Sequence, residues 1–295
     1  MKKNPPKKIT RVGLIANTEK PASGNLARKA AEMVRQSGRE VACDVITAEM
    51  AGLKCDCYPN ASLLAEETDL LLVFGGDGSM LRVVREMNGV LTPILGVNVG
   101  RLGFLTAVPS NELPEALKRV WANDFEIETR PLLEARGVSG GKKIQLRALN
   151  DIVISRGAAP RMIELEVLVN GRVLTCYRCD GLIISSPTGS TAYSLSAGGA
   201  IVSPDARVFA ITPICPHTLS NRSVIIGLEA TVQVKVISEK VETTATADGQ
   251  VQVDLMAGDT ISIRRSPRAT RLLHPGGRSF FDTLRRKLHW SGSTV

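Results

Sequence analysis

Aromatic side chains are scarce in this 295-residue chain, at 4% of all positions. Nothing in it matches a zinc-finger, homeodomain or RNA-recognition signature, so a nucleic-acid partner is not expected. Histidine is scarcer still. His217, His274 and His289 lie late and in unlike contexts, which argues against a Ser/His/Asp triad. No apolar run approaches the roughly 20 residues that span a bilayer. The basic, proline-containing start from Met1 to Thr10 is not followed by the apolar core of a signal peptide. A cytoplasmic protein without a membrane partner is expected.

Six cysteines are present: Cys43, Cys55, Cys57, Cys176, Cys179 and Cys215. A Cys-x-Cys and a Cys-x-x-Cys pair are the raw material of a zinc site, but they stand far apart in the chain. Reduced, mostly structural thiols are the simpler reading. Lys plus Arg exceed Asp plus Glu by 37 − 29, or +8. That excess suits an anionic partner. Much of it lies in Lys2, Lys3, Lys7, Lys8 and Arg11 and in the stretch from Arg264 to Lys287, where solvated terminal charge accounts for most of it.

The first 125 residues alternate strand and helix patterns. Strands are expected at Val12–Ile15, Val41–Ile46, Leu70–Phe74 and Ile94–Val97. Helical stripes run through Leu26, Ala30, Met33 and Val34, through Met80, Val83, Val84 and Met87, and through Leu113, Ala116, Leu117, Val120 and Trp121. Such alternation predicts a mostly parallel, Rossmann-like sheet with helices on its faces. From residue 126 to about 265 the period drops to two, with hairpin signals at Asn170-Gly171 and Asp248-Gly249. A β-rich domain is expected there, broken by one helix near Ala192–Ala197. Residues 266–295 regain helical character and are expected to return to the first domain.

Gly75-Gly76-Asp77-Gly78-Ser79 joins a buried strand to an amphipathic helix, the place where α/β sheets bind phosphate. It is neither a Walker A loop nor a Gly-x-Gly-x-x-Gly fingerprint. Asp77 repels phosphate, which points to a job as base or metal contact; a helix cap or turn residue is the alternative. A second loop, Pro187-Thr188-Gly189-Ser190-Thr191-Ala192-Tyr193-Ser194, offers hydroxyls for ribose and phosphate oxygens and a tyrosine for stacking on a base. An ordinary capped helix start would look the same. Asn150-Asp151 suits an adenine edge and a ribose diol, and Asp180 opens the strand before the second loop; both are also common turn residues.

Together these motifs resemble the bacterial NAD kinase family. The likeness runs from about Ile9 to Trp290 and includes Asn98–Thr106, Asp180–Gly199, Pro216–Arg222 and Asp248-Gly249-Gln250. The Gly-Gly-Asp-Gly element alone is shared with lipid kinases and phosphofructokinases; the block from Asp180 to Gly199 is far more specific. The resemblance implies transfer of the γ-phosphoryl group of ATP to the adenosine 2′-hydroxyl of NAD, aided by Mg²⁺ or Mn²⁺. No direct protein ligand for that metal is expected. It further implies a homodimer or homotetramer, with Asp77 as general base. NAD contacts carry over to Asp77, Gly78, Asn150, Asp151, Arg178, Asp180 and Gln250, and to Thr191, Ala192, Tyr193, Ser194, Leu195 and Ser196. Arg82 and Arg161 match positions that vary in residue type across the family. Position 151 is Asp where many members have Glu. A lipid kinase with the same glycine element would need an apolar acceptor site, whereas the second loop is polar. A dinucleotide sensor without turnover would have no need of Asp77.

Overall fold

The computed structural model describes residues 9–290 apart from 101, 107, 159, 160, 219–221, 240, 277 and 278. Lys2, Lys3, Lys7 and Lys8, position 101 of the Asn98–Thr106 stretch and positions 219–221 of the Pro216–Arg222 stretch lie outside the described residues. The chain forms two compact units, residues 1–129 with 270–295, and residues 130–269.

In the first unit the strands are β1 (Arg11–Ala16), β2 (Glu40–Asp44), β3 (Asp56–Tyr58), β4 (Leu70–Gly75), β5 (Ile94–Asn98) and β6 (Val108–Pro109). The helices are α1 (Pro21–Gln36), α2 (Val45–Ala51), α3 (Ala61–Glu66), α4 (Asp77–Met87) and α5 (Leu113–Trp121). All the strands pair in parallel, in the order β3-β2-β1-β4-β5 with β6 beside β5. Every residue of β4 is buried, as expected for a central parallel strand covered on both faces. Helix α1 buries Ala27, Ala30, Ala31 and Val34, and α5 buries Leu113, Ala116, Leu117 and Val120. Both sets follow the i, i+3, i+4, i+7 spacing of one helix face. Each fully buried Val or Leu contributes about 1.5–3 kcal/mol.

The structure differs from the sequence expectation between Val41 and Ile46. Strand β2 stops at Asp44, whose side chain accepts a hydrogen bond from the Thr47 backbone N–H and starts α2. A capping carboxylate thus outweighs the β-branched run Val45-Ile46, whose side chains are largely exposed.

The second unit takes up β7 (Phe125–Ser139) from Arg130 onward. It adds β8 (Lys142–Ala148), β9 (Asp151–Arg156), β10 (Ile163–Val169), β11 (Arg172–Cys179), β12 (Gly181–Ser185), β13 (Val208–Ile214) and β14 (Val224–Gly227). Then come β15 (Val232–Val236), β16 (Thr243–Ala247), β17 (Val251–Leu255) and the first part of β18 (Thr260–Pro275). One antiparallel sheet has the order β14-β13-β12-β9-β16-β17. Antiparallel pairs β10–β11, β10–β15, β15–β18 and β7–β8 build the other face. Alternate residues of both layers share one apolar cluster, among them Ile154, Leu165, Ile184, Phe209, Val234 and Ile263, so this unit is a β-sandwich. The two hairpin signals hold. Asn170 and Gly171 have φ of 51° and 76°, and Asp248 and Gly249 have φ of 52° and 63°, the left-handed pair that a tight turn requires. A 3-10 turn (Thr188–Thr191) and the short α6 (Tyr193–Ser196) follow β12.

From Thr270 the chain rejoins the first unit. Leu272 pairs in parallel with Ile94, and α7 (Phe280–Leu288) begins at a capping box formed by Ser279 and Asp282. The tail is tied down by Gly276 N–H donating to the Asp124 carbonyl (3.0 Å) and by Lys287 Nζ donating to the Leu102 carbonyl (2.7 Å). The fold class is the one expected, a parallel α/β unit and a β-rich unit with a returning tail, except that residues 266–275 continue strand β18 and helix starts only at Phe280.

Candidate functional site

The strand order β3-β2-β1-β4-β5 reverses direction between β1 and β4, and loops that leave adjacent strand ends at such a point splay apart to admit a ligand. Strand β4 ends at Gly75, Gly76 caps the next helix, and Asp77 is the first residue of α4. A Cβ on Gly75 would lie 2.2 Å from Ser79 Oγ, so only glycine fits where the strand turns into the helix. Ser79 is buried and accepts from Asn17 Nδ2 (2.8 Å), which ties this loop to the one after β1. Gly78 is the next residue of α4 after Asp77, in its first turn. Arg82, one turn further on, pairs with Glu86 at 3.2 Å along the helix surface.

Asp77 does not cap its own helix. Its carboxylate accepts the backbone N–H groups of Phe104 (2.8 Å), Leu105 (3.0 Å) and Thr106 (3.2 Å), and the Thr106 hydroxyl at 3.3 Å. Thr106 Oγ1 also accepts from the buried Asn98 side chain (2.9 Å). Gly103 packs so closely that an added Cβ would sit 1.9 Å from Asp77 Oδ1. The Asn98–Thr106 stretch is therefore the cradle of this carboxylate. Its role as cradle was hidden in the sequence, because 27 to 29 residues separate donors from acceptor.

Sequence reasoning also missed Lys20. Its Nζ donates to the Val99 carbonyl (2.8 Å) and stands 3.9 Å from where a Gly76 Cβ would be. That places an ammonium group beside the glycine loop, although no Walker lysine occurs in it. Only its place shortly after β1 hints at this.

In the second unit Asn150 and Asp151 stand at the entry to β9. The Asp248 carboxylate accepts from the backbone N–H groups of Leu149 (2.9 Å), Asn150 (2.7 Å) and Asp151 (3.3 Å), so the Asp248-Gly249-Gln250 turn clamps that entry. The hydroxyl loop docks on the same place. Ser186 Oγ donates to the Leu149 carbonyl, and a Gly189 Cβ would lie 2.2 Å from the Asn150 carbonyl oxygen. Asn150, Asp151, Gln250 and the loop leading to Thr191 are thus held together. Asp151 is almost fully buried, and burial together with the Asp248 charge pushes its carboxyl up to about 7.

The six residues from Thr191 to Ser196 divide by exposure. Ser194 is buried and shares a hydroxyl chain with Thr212 (3.1 Å) and Ser223 (2.8 Å), which is an architectural arrangement. Tyr193 is 48% exposed, leaving its ring free to receive a flat ligand, and Ser196 is exposed. Thr191, Ala192 and Leu195 are half-buried.

Arg161, Arg178 and Asp180 lie elsewhere. In the β9–β12 register Ser185 faces Asp151, while Gly181 faces Ser155. Asp180, one residue before Gly181, therefore stands at the far end of β12 from Asp151, roughly 16 Å along the strand at about 3.3 Å per residue. It pairs there with Arg156 Nε at 2.9 Å. Arg178 is near the same end of β11, 3.9 Å from Glu164, and the exposed Arg161 precedes β10.

A glycine-flanked carboxylate at the switch point of a parallel sheet, followed by a β-sandwich, defines an α/β ligand-binding protein whose glycine loop lacks a Walker lysine. Comparison with known proteins narrows the class. Residues 12–125 match the family described as the ATP-NAD kinase N-terminal domain, and residues 149–275 match the ATP-NAD kinase C-terminal domain. The chain belongs to the ATP-NAD kinase family. It is 42% identical over 278 residues to an NAD kinase of Heliobacterium modesticaldum, covering 94% of this chain and 98% of that protein. An NAD kinase of Syntrophotalea carbinolica is 40% identical over 286 residues, covering 96% and 99%. Among solved structures, yeast NADH kinase complexed with NADH superimposes with a TM-score of 0.86 at 26% identity, covering 98% of this chain and 90% of that one. An NAD kinase from Archaeoglobus fulgidus in complex with ATP gives 0.77 at 26% identity, covering 96% and 100%.

Proposed function

We propose that this chain transfers the γ-phosphoryl group of ATP to the adenosine 2′-hydroxyl of NAD, yielding NADP and ADP, with Asp77 as the general base. Family membership supports the reaction, and the fixed carboxylate at the switch point is the observation that carries the assignment of the base. A ribose hydroxyl is a poor nucleophile at neutral pH and gains from a carboxylate about 3 Å away that accepts its proton. Three backbone N–H groups and the Thr106 hydroxyl fix the position of Asp77 before substrate arrives, so little ordering is left to the reactive step. Gly76 and Gly78 leave the approach to it open, since a Cβ on Gly76 would meet only the end of Lys20 and one on Gly78 nothing within 4 Å. Lys20 supplies a cation for phosphate oxygens. A divalent ion brought in on the triphosphate would neutralise its charge.

In this reading the first unit serves phosphoryl transfer and the second holds the dinucleotide. Asn150, Asp151, Gln250 and Tyr193 form one group of contacts, and Arg161, Arg178 and Asp180 form another at the opposite end of the β9–β12 pair. Their separation suits an assembly in which the second group serves the site of a second copy, hence a cytoplasmic homodimer or homotetramer. ADP release measured with NAD, NADH and diacylglycerol as acceptors tests the reaction. Turnover with NAD and none with diacylglycerol is expected; turnover with the lipid alone would reverse the reading.

A further inference from the structure

Of the six cysteines, three converge in the first unit, and they are not the set that the sequence spacing groups. Strand β3 pairs in parallel with β2, with Cys57 directly beside Cys43. Cys55 lies two residues before Cys57 and so faces the same side of the sheet edge. The three sulfur atoms all lie within 4.8 Å of one another, and Cys43 Sγ is 2.9 Å from Cys55 Sγ. Cys43 is buried among the core of the unit, Cys55 is half-buried and Cys57 is exposed. The cluster is thus anchored in the core and open to solvent at one corner.

We propose that Cys43, Cys55 and Cys57 form a binding site for one thiophilic cation, of which Zn²⁺ is the representative. Tetrahedral zinc with Zn–S of about 2.3 Å requires sulfur atoms about 3.8 Å apart. No pair in the cluster exceeds that spacing by more than about an ångström, and the Cys43–Cys55 pair, at 2.9 Å, widens by a small shift of Cys55 at the bend before β3. An all-sulfur donor set selects soft ions and rejects Mg²⁺. Burial pushes the Cys43 and Cys55 thiols up, so the cluster is a thiol site until a cation displaces the protons. On binding, three S–H bonds break, three S–Zn bonds form and three protons pass to solvent; no electron is transferred. The resulting tris-thiolate bears one net negative charge. The Arg35 guanidinium, which favours the charged form of Cys55 and donates to the Lys54 carbonyl at 2.7 Å, stabilises it. Solvent reaches the fourth coordination position at the Cys57 corner. The cluster lies on β2 and β3, with β1 between it and the strand that leads to Asp77, so it is separate from the phosphate loop.

The test uses the full chain, reduced and stripped with a chelator, then titrated with Co²⁺ as a spectroscopic probe. One Co²⁺ per chain with thiolate-to-cobalt charge-transfer bands is expected, displaced by Zn²⁺. Cys57→Ser, at an exposed position, should fold normally and weaken Zn²⁺ binding by about tenfold or more. A Cys176→Ser/Cys215→Ser double variant should bind like the parent. No cobalt–thiolate band in the reduced parent would overturn the site, as would a band that survives Cys57→Ser unchanged. A Cys43–Cys55 disulfide forming in air, with no cobalt band in the reduced protein, would overturn it in favour of a redox pair.

Discussion

Replacing Asp151 with Asn should stabilise the protein at alkaline pH while removing a carboxylate from the proposed dinucleotide site. The side chain is 4% exposed, and its carboxyl titrates at about 7 instead of 3.8 because burial and the Asp248 charge oppose ionisation. A carboxyl raised in the folded state favours folding only in its neutral form. Its stabilising contribution is complete below about pH 4, declines as the pH rises, and is gone above about pH 7. At 1.36 kcal/mol per pH unit, the gap between 3.8 and about 7 amounts to about 4 kcal/mol. About half of that is already lost by pH 5.5. The advantage of Asp151→Asn over the parent should therefore grow by about 2 kcal/mol between about pH 5.5 and pH 8. Urea unfolding of both proteins at the two pH values measures it directly. A stability difference that stays constant across that range would refute the reasoning and mean that Asp151 is ionised in the folded protein.

Three other outcomes are expected. Gly103→Ala forces a Cβ to within 1.9 Å of Asp77 Oδ1, so the carboxylate must move, and kcat should fall by about 10²-fold with NAD affinity little changed; a parental kcat would show that the cradle does not set the position of the base. EDTA should abolish NADP formation and Mg²⁺ or Mn²⁺ restore it, whereas full activity in metal-free buffer would contradict the proposed charge neutralisation of the triphosphate. Light scattering on active enzyme should give at least twice the 31.6 kDa chain mass, and a fully active monomer would rule out the shared dinucleotide site.

In the first unit the main elements were legible, α1 and α5 by their helical stripes and β4 by its unbroken apolar run, whereas the 15-residue β7 of the second unit was not. Nor were short ones. Helix α3 spans only Ala61–Glu66, too brief to show a stripe, and α2 spans only Val45–Ala51, starting at an Asp44 cap that follows a strand-like run. The Gly75–Ser79 loop could be read locally because its chemistry lies in consecutive residues. The partners that fix it could not, since Phe104, Thr106 and Lys20 reach it through the parallel topology. The same holds for Asp248. As a hairpin residue it was plain, but its grip on Leu149 and Asn150 spans nearly a hundred positions. Likeness between motifs joined Asp180 to Asp151, and only strand register reveals that they stand at opposite ends of β12. Register also groups Cys43 with Cys57, where sequence spacing had suggested two separate pairs.

The central claim is that Asp77 is the general base, and Asp77→Asn tests it most directly. The substitution keeps size and hydrogen-bonding capacity and removes the basic carboxylate. Single-turnover rates and calorimetric NAD affinity, measured on the same preparation, separate chemistry from binding. The rate should fall by roughly 10²–10⁴-fold with NAD affinity changed far less. A near-parental rate would contradict the account and leave Asp77 a loop-fixing residue tied to Phe104, Leu105 and Thr106. Loss of binding together with rate would contradict it as well, making Asp77 a ligand-positioning group.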